Sequence, residues 1–411
     1  MVKRTAGKQG AAFMKKNNRI TPEGTKDFLF EECLTRRYIE RAIGDVFSSR
    51  GFHEVMTPGL EFYDVFDPDF SGIPQSVMYK MSDKHGHLIV MRPDSTLPIA
   101  RLTATRLQNL PKPIRLYYTQ PIYRNNPGLT GRSDESVQTG IELLGAGGIR
   151  ADLDVIATAL EALGKCVPGY RLEIGHAGFF HSLAQRIPVG ESLREEIRNA
   201  IEMKNYSRLN GILDGLPDSE EVRALRKLPR LFGGEEVFDR AAHLCGGAQL
   251  SETLDYLRRI YRSLSELEQS GRLMIDLGLV QRNDYYTGIV FSAYVEEFGD
   301  AVLLGGRYDN LLGHFGQPMP AIGFAVNVDA IAKTLLNRGN VCPVLPMDIL
   351  VHGDAGYEMK ALEYASDLIS QGLRCETSVF ETQDDAVSYA QTSGIKRIDF
   401  VNENVKTINL I

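Results

Sequence analysis

The stretches RLYYTQPIYRNN (115–126) and QTGIELL (138–144) carry the reading of the fold. Residues 115–118 and 122–123 read as strands, and 138–144 read as another. Between the last two lies 125–134, rich in Gly, Pro and Asn, the composition of a connecting loop. Side chains alternate along a strand, so Gln138, Gly140 and Glu142 share one face. Two acceptors on one face can receive an ammonium or an imidazole N–H. Charged groups inside a strand are costly unless paired or used, so this polar interruption marks a candidate site.

Upstream, Leu34, Tyr38, Ile39, Ala42, Ile43, Val46 and Phe47 recur at helical spacing over 31–50, and Gly51 stops that helix. A strand-like run follows at 52–56. Residues 78–81 and 88–91 flank the turn Lys84-His85-Gly86 and read as an antiparallel hairpin. Residues 97–107 and 151–164 read as helices. From about 180 to 270 the chain is rich in Leu, Glu, Arg and Ala, which suggests an inserted helical segment. Strands return at 273–277, 286–294 and 301–304, and Gly305-Gly306-Arg307 reads as a glycine-rich turn. A strand at 321–326 leads into a helix over 328–337. After a proline-bounded linker at 343–346, residues 349–351, a helix over 357–371 and residues 400–401 suggest a small α/β unit. Strands joined by hairpins and flanked by helices argue an antiparallel α+β sheet rather than a doubly wound one. The expected domains are a flexible extension over 1–19, a core over 20–338 and a C-terminal unit over 346–411.

The 411 residues carry a net charge of −7, with 43% hydrophobic and 24% charged residues. An acidic chain of ordinary globular composition has no bulk field drawing it to phosphate backbones. No run of 18 apolar residues is present, which argues against a membrane helix. The first 20 residues hold Lys3, Arg4, Lys8, Lys15, Lys16 and Arg19 but no apolar core, so secretion is not expected, and Met14 is a candidate natural start. Five cysteines without a CxxC pair fit a reducing, cytoplasmic setting. His85 and His87 lack a third ligand nearby, and neither Gly145-Ala146-Gly147-Gly148 nor Gly305-Gly306 matches a phosphate-binding fingerprint. Neither a metal nor a cofactor is expected.

Five ordered elements together resemble the histidyl-tRNA synthetase family over roughly residues 20–335. They are Pro22-Glu23-Gly24-Thr25-Lys26-Asp27; Arg92-Pro93-Asp94-Ser95-Thr96; Tyr123-Arg124 with Gln138 and Glu142; Asp284-Tyr285-Tyr286-Thr287-Gly288; and Gly305-Gly306-Arg307-Tyr308-Asp309 with Pro320-Ala321-Ile322-Gly323-Phe324-Ala325. The resemblance implies a class II aminoacyl-tRNA synthetase-like antiparallel sheet flanked by helices, in a dimer. It also implies a histidine site: Asp94, Thr96 and Gln138 for the α-ammonium, Glu142 and Tyr285 for the imidazole, with Tyr286 beside them, and Arg124 for the carboxylate.

The family's ATP half does not match. Where that family has the glutamate and second arginine of its second motif, this chain has Asn126 and Asp134; Arg132 remains. The arginine of the third motif falls at Ala330, and the preceding glycine at Asn327. The histidine-specific catalytic arginine falls at Gln281, with Arg282 one place away. Amino-acid activation brings two anions together, and losing one preorganised charge partner costs about 3 kcal/mol of transition-state stabilisation. The profile is similar to that of the regulatory-subunit branch acting with short-form ATP phosphoribosyltransferase. That resemblance implies no catalysis by this chain, a catalytic-subunit partner in a hetero-octamer of four plus four, activation at the first step of histidine biosynthesis, and feedback inhibition by free histidine. Two alternatives stay open: an active histidyl-tRNA synthetase using Arg282 or Arg307 instead, and a stand-alone histidine-binding or RNA-binding paralogue. From 346 to 411 the chain has five basic and eleven acidic residues, net −6, which disfavours a tRNA-binding C-terminal domain.

Overall fold

The computed structural model describes residues 19–126, 132–243, 248–267, 270–280, 285–340 and 342–410. The expected extension over 1–19 therefore lies almost wholly outside the described residues. Two compact units are formed, Met1–Cys342 and Pro343–Ile411.

In the first unit the helix α1 (Phe30–Ser49) is followed by β1 (His53–Glu54), β2 (Leu60–Phe62), β3 (Lys80–Ser82), β4 (Leu88–Met91), α2 (Thr96–Arg106), β5 (Ile114–Tyr123), β6 (Glu135–Leu144), α3 (Ile149–Cys166) and β7 (Arg171–His176). A helical segment follows: α4 (Ala177–Gln185), α5 (Glu191–Glu202), α6 (Tyr206–Asp214), α7 (Glu220–Lys227), the two-residue β8 (Phe232–Gly233), α8 (Glu236–Ala242) and α9 (Ala248–Ser265). The unit closes with β9 (Leu273–Asp276), β10 (Ile289–Tyr294), β11 (Leu303–Arg307), β12 (Ala321–Asn327) and α10 (Val328–Asn337). The main sheet has the order β1-β5-β6-β12-β11-β10-β7-β9-β8, and β2-β4-β3 form a small second sheet. Central neighbours are antiparallel, whereas β1 pairs with β5 and β7 with β9 in parallel.

Register divides the main sheet into two faces. Tyr117, Ile141, Phe324 and Phe291 lie on one face and pack against α1 and α3 through Phe47, Val155 and Ala159. Phe47 meets Phe324 edge-on, with centroids 5.6 Å apart. Leu116, Tyr118 and Leu144 lie on the other face, here called the front, in a second core with Leu97, Ile99, Tyr285 and Tyr308.

Several sequence expectations change in register or extent. Residues 115–118 and 122–123 are parts of a single strand, β5, which runs through Pro121. Tyr117 O accepts Val55 N–H and Tyr123 N–H donates to Arg92 O, so the odd residues of this stretch turn their backbone groups away from β6. The N–H that Pro121 lacks is on that outer side, and its carbonyl accepts from Arg92 Nε at 3.0 Å. Gly305 and Gly306 are strand residues, not a turn. A Cβ at Gly305 would lie 2.4 Å from Phe291 Cζ, and one at Gly306 2.6 Å from Tyr286 Cδ1. Glycine stands there because aromatic rings lie flat on the sheet. Strand β7, which the periodicity reading did not identify, pairs with β10 and β9.

The second unit contains β13 (Ile349–Gly353), α11 (Glu358–Ser370), β14 (Cys375–Thr377), α12 (Gln383–Thr392), β15 (Arg397–Val401) and β16 (Val405–Asn409). Its sheet order is β14-β13-β15-β16, with only the β15–β16 pair antiparallel. Ile349 and Val351 pack with α11 on one side, and Leu350 and Ile398 with α12 on the other.

Candidate functional site

The site begins where β4 ends. Arg92 is buried and its guanidinium donates to the carbonyls of Thr57, Pro58 and Pro121, at 2.7, 2.9 and 2.7 Å, so it ties strands together rather than facing a ligand. Two residues on, Asp94 Oδ1 accepts the N–H groups of Thr96 and Leu97 at 2.8 and 3.2 Å and so starts α2. The carboxyl is pushed upward in pKa by burial, opposed by the nearby guanidinium of Arg124. Arg124 itself donates through Nε to Pro93 O at 2.8 Å.

Thr96 Oγ1 then reaches across to Glu142 on β6 and donates to Oε1 at 2.8 Å. Tyr308, just past β11, donates its phenolic O–H to Oε2. Glu142 is 1% exposed. Burial pushes its pKa up to about 8, against the two hydrogen bonds that favour the charged form. The space around it is cleared by glycine: a Cβ at Gly323, its neighbour on β12, would lie 1.8 Å from Oε2.

Tyr285 is buried with its ring edge-on to Tyr308, centroids 5.8 Å apart, and 4.8 Å from Tyr286. Burial holds the phenols of Tyr285 and Tyr308 well above their ordinary range, so both stay protonated hydrogen-bonding groups. Gln138 lies on the same strand face as Glu142, beside Gln120 and Asn327. Its Oε1 is buried without a hydrogen-bond partner among the described residues. An unpaired buried carbonyl costs about 1–3 kcal/mol, which a ligand N–H would recover.

Asp94, Thr96, Glu142 and Tyr285 thus lie together on the front face, with Arg124 beside Asp94, Tyr286 beside Tyr285 and Gln138 farther along β6. Tyr308 was not assigned to the site by the sequence reading. Its signal was parity: it follows Arg307, and successive strand residues face opposite ways.

Arg307 points to the other face. Its Nε and Nη2 engage Asp152 Oδ1 of α3, the former at 2.9 Å, and Nη1 reaches Asp309 Oδ1 at 2.9 Å. Asp152 also accepts the phenol O–H of Tyr256 on α9. Arg132 forms a two-pronged pair with Asp300, at 3.0 and 2.8 Å. Asp134 accepts the phenol O–H of Tyr79 and, at 3.0 Å, the N–H of Asn126. Its carboxyl group fills the space beside Gly24, where a Cβ would come within 2.5 Å. Ala330 is buried in the first turn of α10, and its N–H donates to Asn327 Oδ1 at 3.0 Å. Gln281 and Arg282 lie outside the described residues.

The family model described as Histidyl-tRNA synthetase matches residues 24–331. The ATP phosphoribosyltransferase regulatory subunit of Clostridium botulinum (strain Langeland) is 37% identical over 388 residues, covering 93% of this chain and 91% of the relative. That of Clostridium acetobutylicum is 38% identical over 391 residues, covering 94% and 96%. Among solved structures, an ATP phosphoribosyltransferase regulatory subunit/histidyl-tRNA synthetase from Bacillus halodurans superposes with a TM-score of 0.81 at 28% identity, covering 93% of this chain and 97% of that one. Histidyl-tRNA synthetase from Nostoc sp. PCC 7120 shares the fold, with a TM-score of 0.74 at 21% identity over 95% and 96% of the two chains.

Proposed function

The chain belongs to the histidyl-tRNA synthetase family, within its branch of ATP phosphoribosyltransferase regulatory subunits, and from that premise we propose that it is a histidine-sensing activator without catalysis of its own. Its partner is the short-form catalytic subunit of ATP phosphoribosyltransferase, at the first step of histidine biosynthesis. The working assembly is a cytoplasmic hetero-octamer, four of each subunit, built on dimers of this chain.

The observation that carries this reading is a contrast across one hairpin. On β6, Glu142 keeps a buried carboxyl between Thr96 and Tyr308, with aromatic rings around it. At the start of the same hairpin arm, Asp134 stands where the synthetase motif has an arginine, and it is fastened to Tyr79 and Asn126. The amino-acid side is mostly kept, with Asp94 where the family has a glutamate, and the triphosphate side is short of cations, Arg132 remaining. Arg132, which remains of the loop pair, is paired with Asp300, and Arg307, one of the two arginines that could compensate, with Asp152. Arg124 remains, but one fixed cation does not steady the transition state of phosphoryl chemistry as several do.

In the pocket, Asp94, Thr96 and Gln138 receive the α-ammonium of free histidine, Arg124 takes its carboxylate, and Glu142 and Tyr285 meet the imidazole, with Tyr286 closing the side. A protonated imidazole beside Glu142 favours the carboxylate that burial disfavours. Histidine then inhibits by binding two states of the complex with different affinity. The C-terminal unit, net −6 over 346–411, repels a tRNA backbone and has another role. No helix among the described residues is long and apolar enough to cross a membrane.

The test is the turnover of the purified short catalytic subunit with and without this chain, followed by a histidine titration. The expected result is stimulation, then suppression by histidine. Absence of stimulation removes the regulatory assignment, and robust histidine-dependent exchange of pyrophosphate into ATP establishes a synthetase instead.

A further inference from the structure

The front face of the main sheet carries a second polar cluster at its opposite end. Glu173 on β7 stands directly across from Ser292, which is across from Leu304, then Ala325, then Gly140. Glu173 therefore shares the face of Glu142, four strands away, about 19 Å at the usual strand spacing. Arg171, Glu173 and Asp276 line a cleft of 190 Å³ there, closed by Ile201, Lys204, Tyr206, Pro229 and Phe232 from the inserted segment.

Four charged side chains line this cleft, the cations Arg171 and Lys204 and the carboxylates Glu173 and Asp276. Glu173 is 0% exposed. Its Oε1 is held by Arg171 at 2.8 Å, while Oε2 has no hydrogen-bond partner among the described residues. Asp276, also buried, accepts Gly278 N–H at 2.8 Å; burial and the charge of Glu173 push its pKa up to about 6. Neither cation donates to Glu173 Oε2. The Arg171 guanidinium pairs with Glu173 Oε1 and stands 5.3 Å over the Phe232 ring, and Lys204 Nζ is 5.6 Å over the Tyr294 ring. A buried carboxylate oxygen without a donor is expensive, so a guest that brings an N–H to Oε2 is favoured.

We propose that this cleft is a binding site for a small organic cation that carries N–H donors, a primary ammonium or a guanidinium. Glu173 Oε2 and Asp276 are its acceptors, and Phe232 and Tyr206 are its walls. No group of three or more His, Cys, Asp or Glu side chains suited to a metal ion occurs among the described residues. The site is separate from the pocket around Glu142, and its existence does not depend on the function proposed above.

The experiment uses the full chain and three probes by calorimetry: propylammonium, methylguanidinium, and tetramethylammonium, which has the charge but no N–H. The expected result is saturable binding of one or both N–H cations at one site per chain, with none of tetramethylammonium. Glu173→Gln weakens it at least about tenfold, the scale of one charge-assisted hydrogen bond. Glu142→Gln leaves it unchanged. Asp276→Asn serves as the second variant should Glu173→Gln fail to fold, thermal unfolding being the check. A wild-type crystal soaked with propylammonium places its nitrogen about 3 Å from Glu173 Oε2. Equal binding of tetramethylammonium, binding that survives the substitution in a folded chain, or an empty cleft in the soaked crystal overturns the proposal.

Discussion

Thr96 Oγ1 stands 2.8 Å from Oε1 of Glu142, joining the first turn of α2 to the middle of β6. With Tyr308 on the other oxygen, the carboxyl is oriented from both sides before any ligand arrives. That arrangement makes Glu142 the group on which histidine recognition is expected to turn. Glu142→Gln retains the shape and removes the charge-assisted acceptor, so histidine affinity falls by about 1.5–3 kcal/mol, roughly ten- to a hundredfold. Isothermal titration of the purified variant measures it. An unchanged dissociation constant places histidine elsewhere.

The same carboxyl sets a pH dependence. Its folded pKa, about 8, is above the ordinary 4.5. The folded state therefore holds a proton that the unfolded state releases, and stability is lost as pH rises from about 4.5 through 8. Glu142→Gln removes this slope. Thermal unfolding without ligand is expected to show the variant gaining on the wild type between pH 5 and pH 8. A difference independent of pH refutes the assignment to Glu142.

On the opposite sheet face, Arg307 and Asp152 form a buried ion pair that also carries Tyr256 of α9. Arg307→Met leaves Asp152 without its cation in a low-dielectric position. Breaking such a pair costs about 3–5 kcal/mol. Urea denaturation reads the loss as a lower midpoint; a change under about 1 kcal/mol means the pair is not an anchor.

Asp134 offers the direct test of the proposal that this chain does not catalyse. Asp134→Arg returns a cation to the position where the synthetase family carries one, but it breaks the contacts with Tyr79 and Asn126. One cation does not replace several, so pyrophosphate exchange stays at background. Tyr79, whose phenol pKa is raised to about 12 chiefly by its bond to Asp134, returns toward the ordinary tyrosine range. Ultraviolet titration of the phenols follows that shift, and its absence refutes the latch.

Much of the architecture is legible along the chain where periodicity is strong. The run from Leu34 to Phe47 forms α1, and the helix expected over 328–337 forms as Val328–Asn337. The grouping of Gln138, Gly140 and Glu142 follows from strand alternation alone. Other features escaped because their cause is distant in sequence. Gly305 and Gly306 look like turn residues until Phe291 and Tyr286 are seen lying over them. Pro121 looks like a break until its outward backbone groups are known to avoid β6. β7 is a short strand, RLEIGH, whose polar Arg171 and Glu173 obscure a buried alternate set of Leu172 and Ile174.

The order of residues alone dictates which side chains are available: an acidic chain, the polar set Asp94, Thr96, Gln138 and Glu142, and Asn126, Asp134 and Ala330 where the resemblance to the synthetase family implies groups that handle ATP. Those are matters of side-chain identity, and identity needs no coordinates. Where each charge is directed had to await the folded chain. Arg307 and Tyr308 are adjacent, yet one is locked to Asp152 behind the sheet and the other grips Glu142 in front. Likewise Arg132 is occupied by Asp300, 168 positions away, and Glu173 keeps an oxygen unpaired. Pairing through space depends on which strands become neighbours, and loop closure over such separations is an outcome of packing the whole sheet rather than of any local pattern.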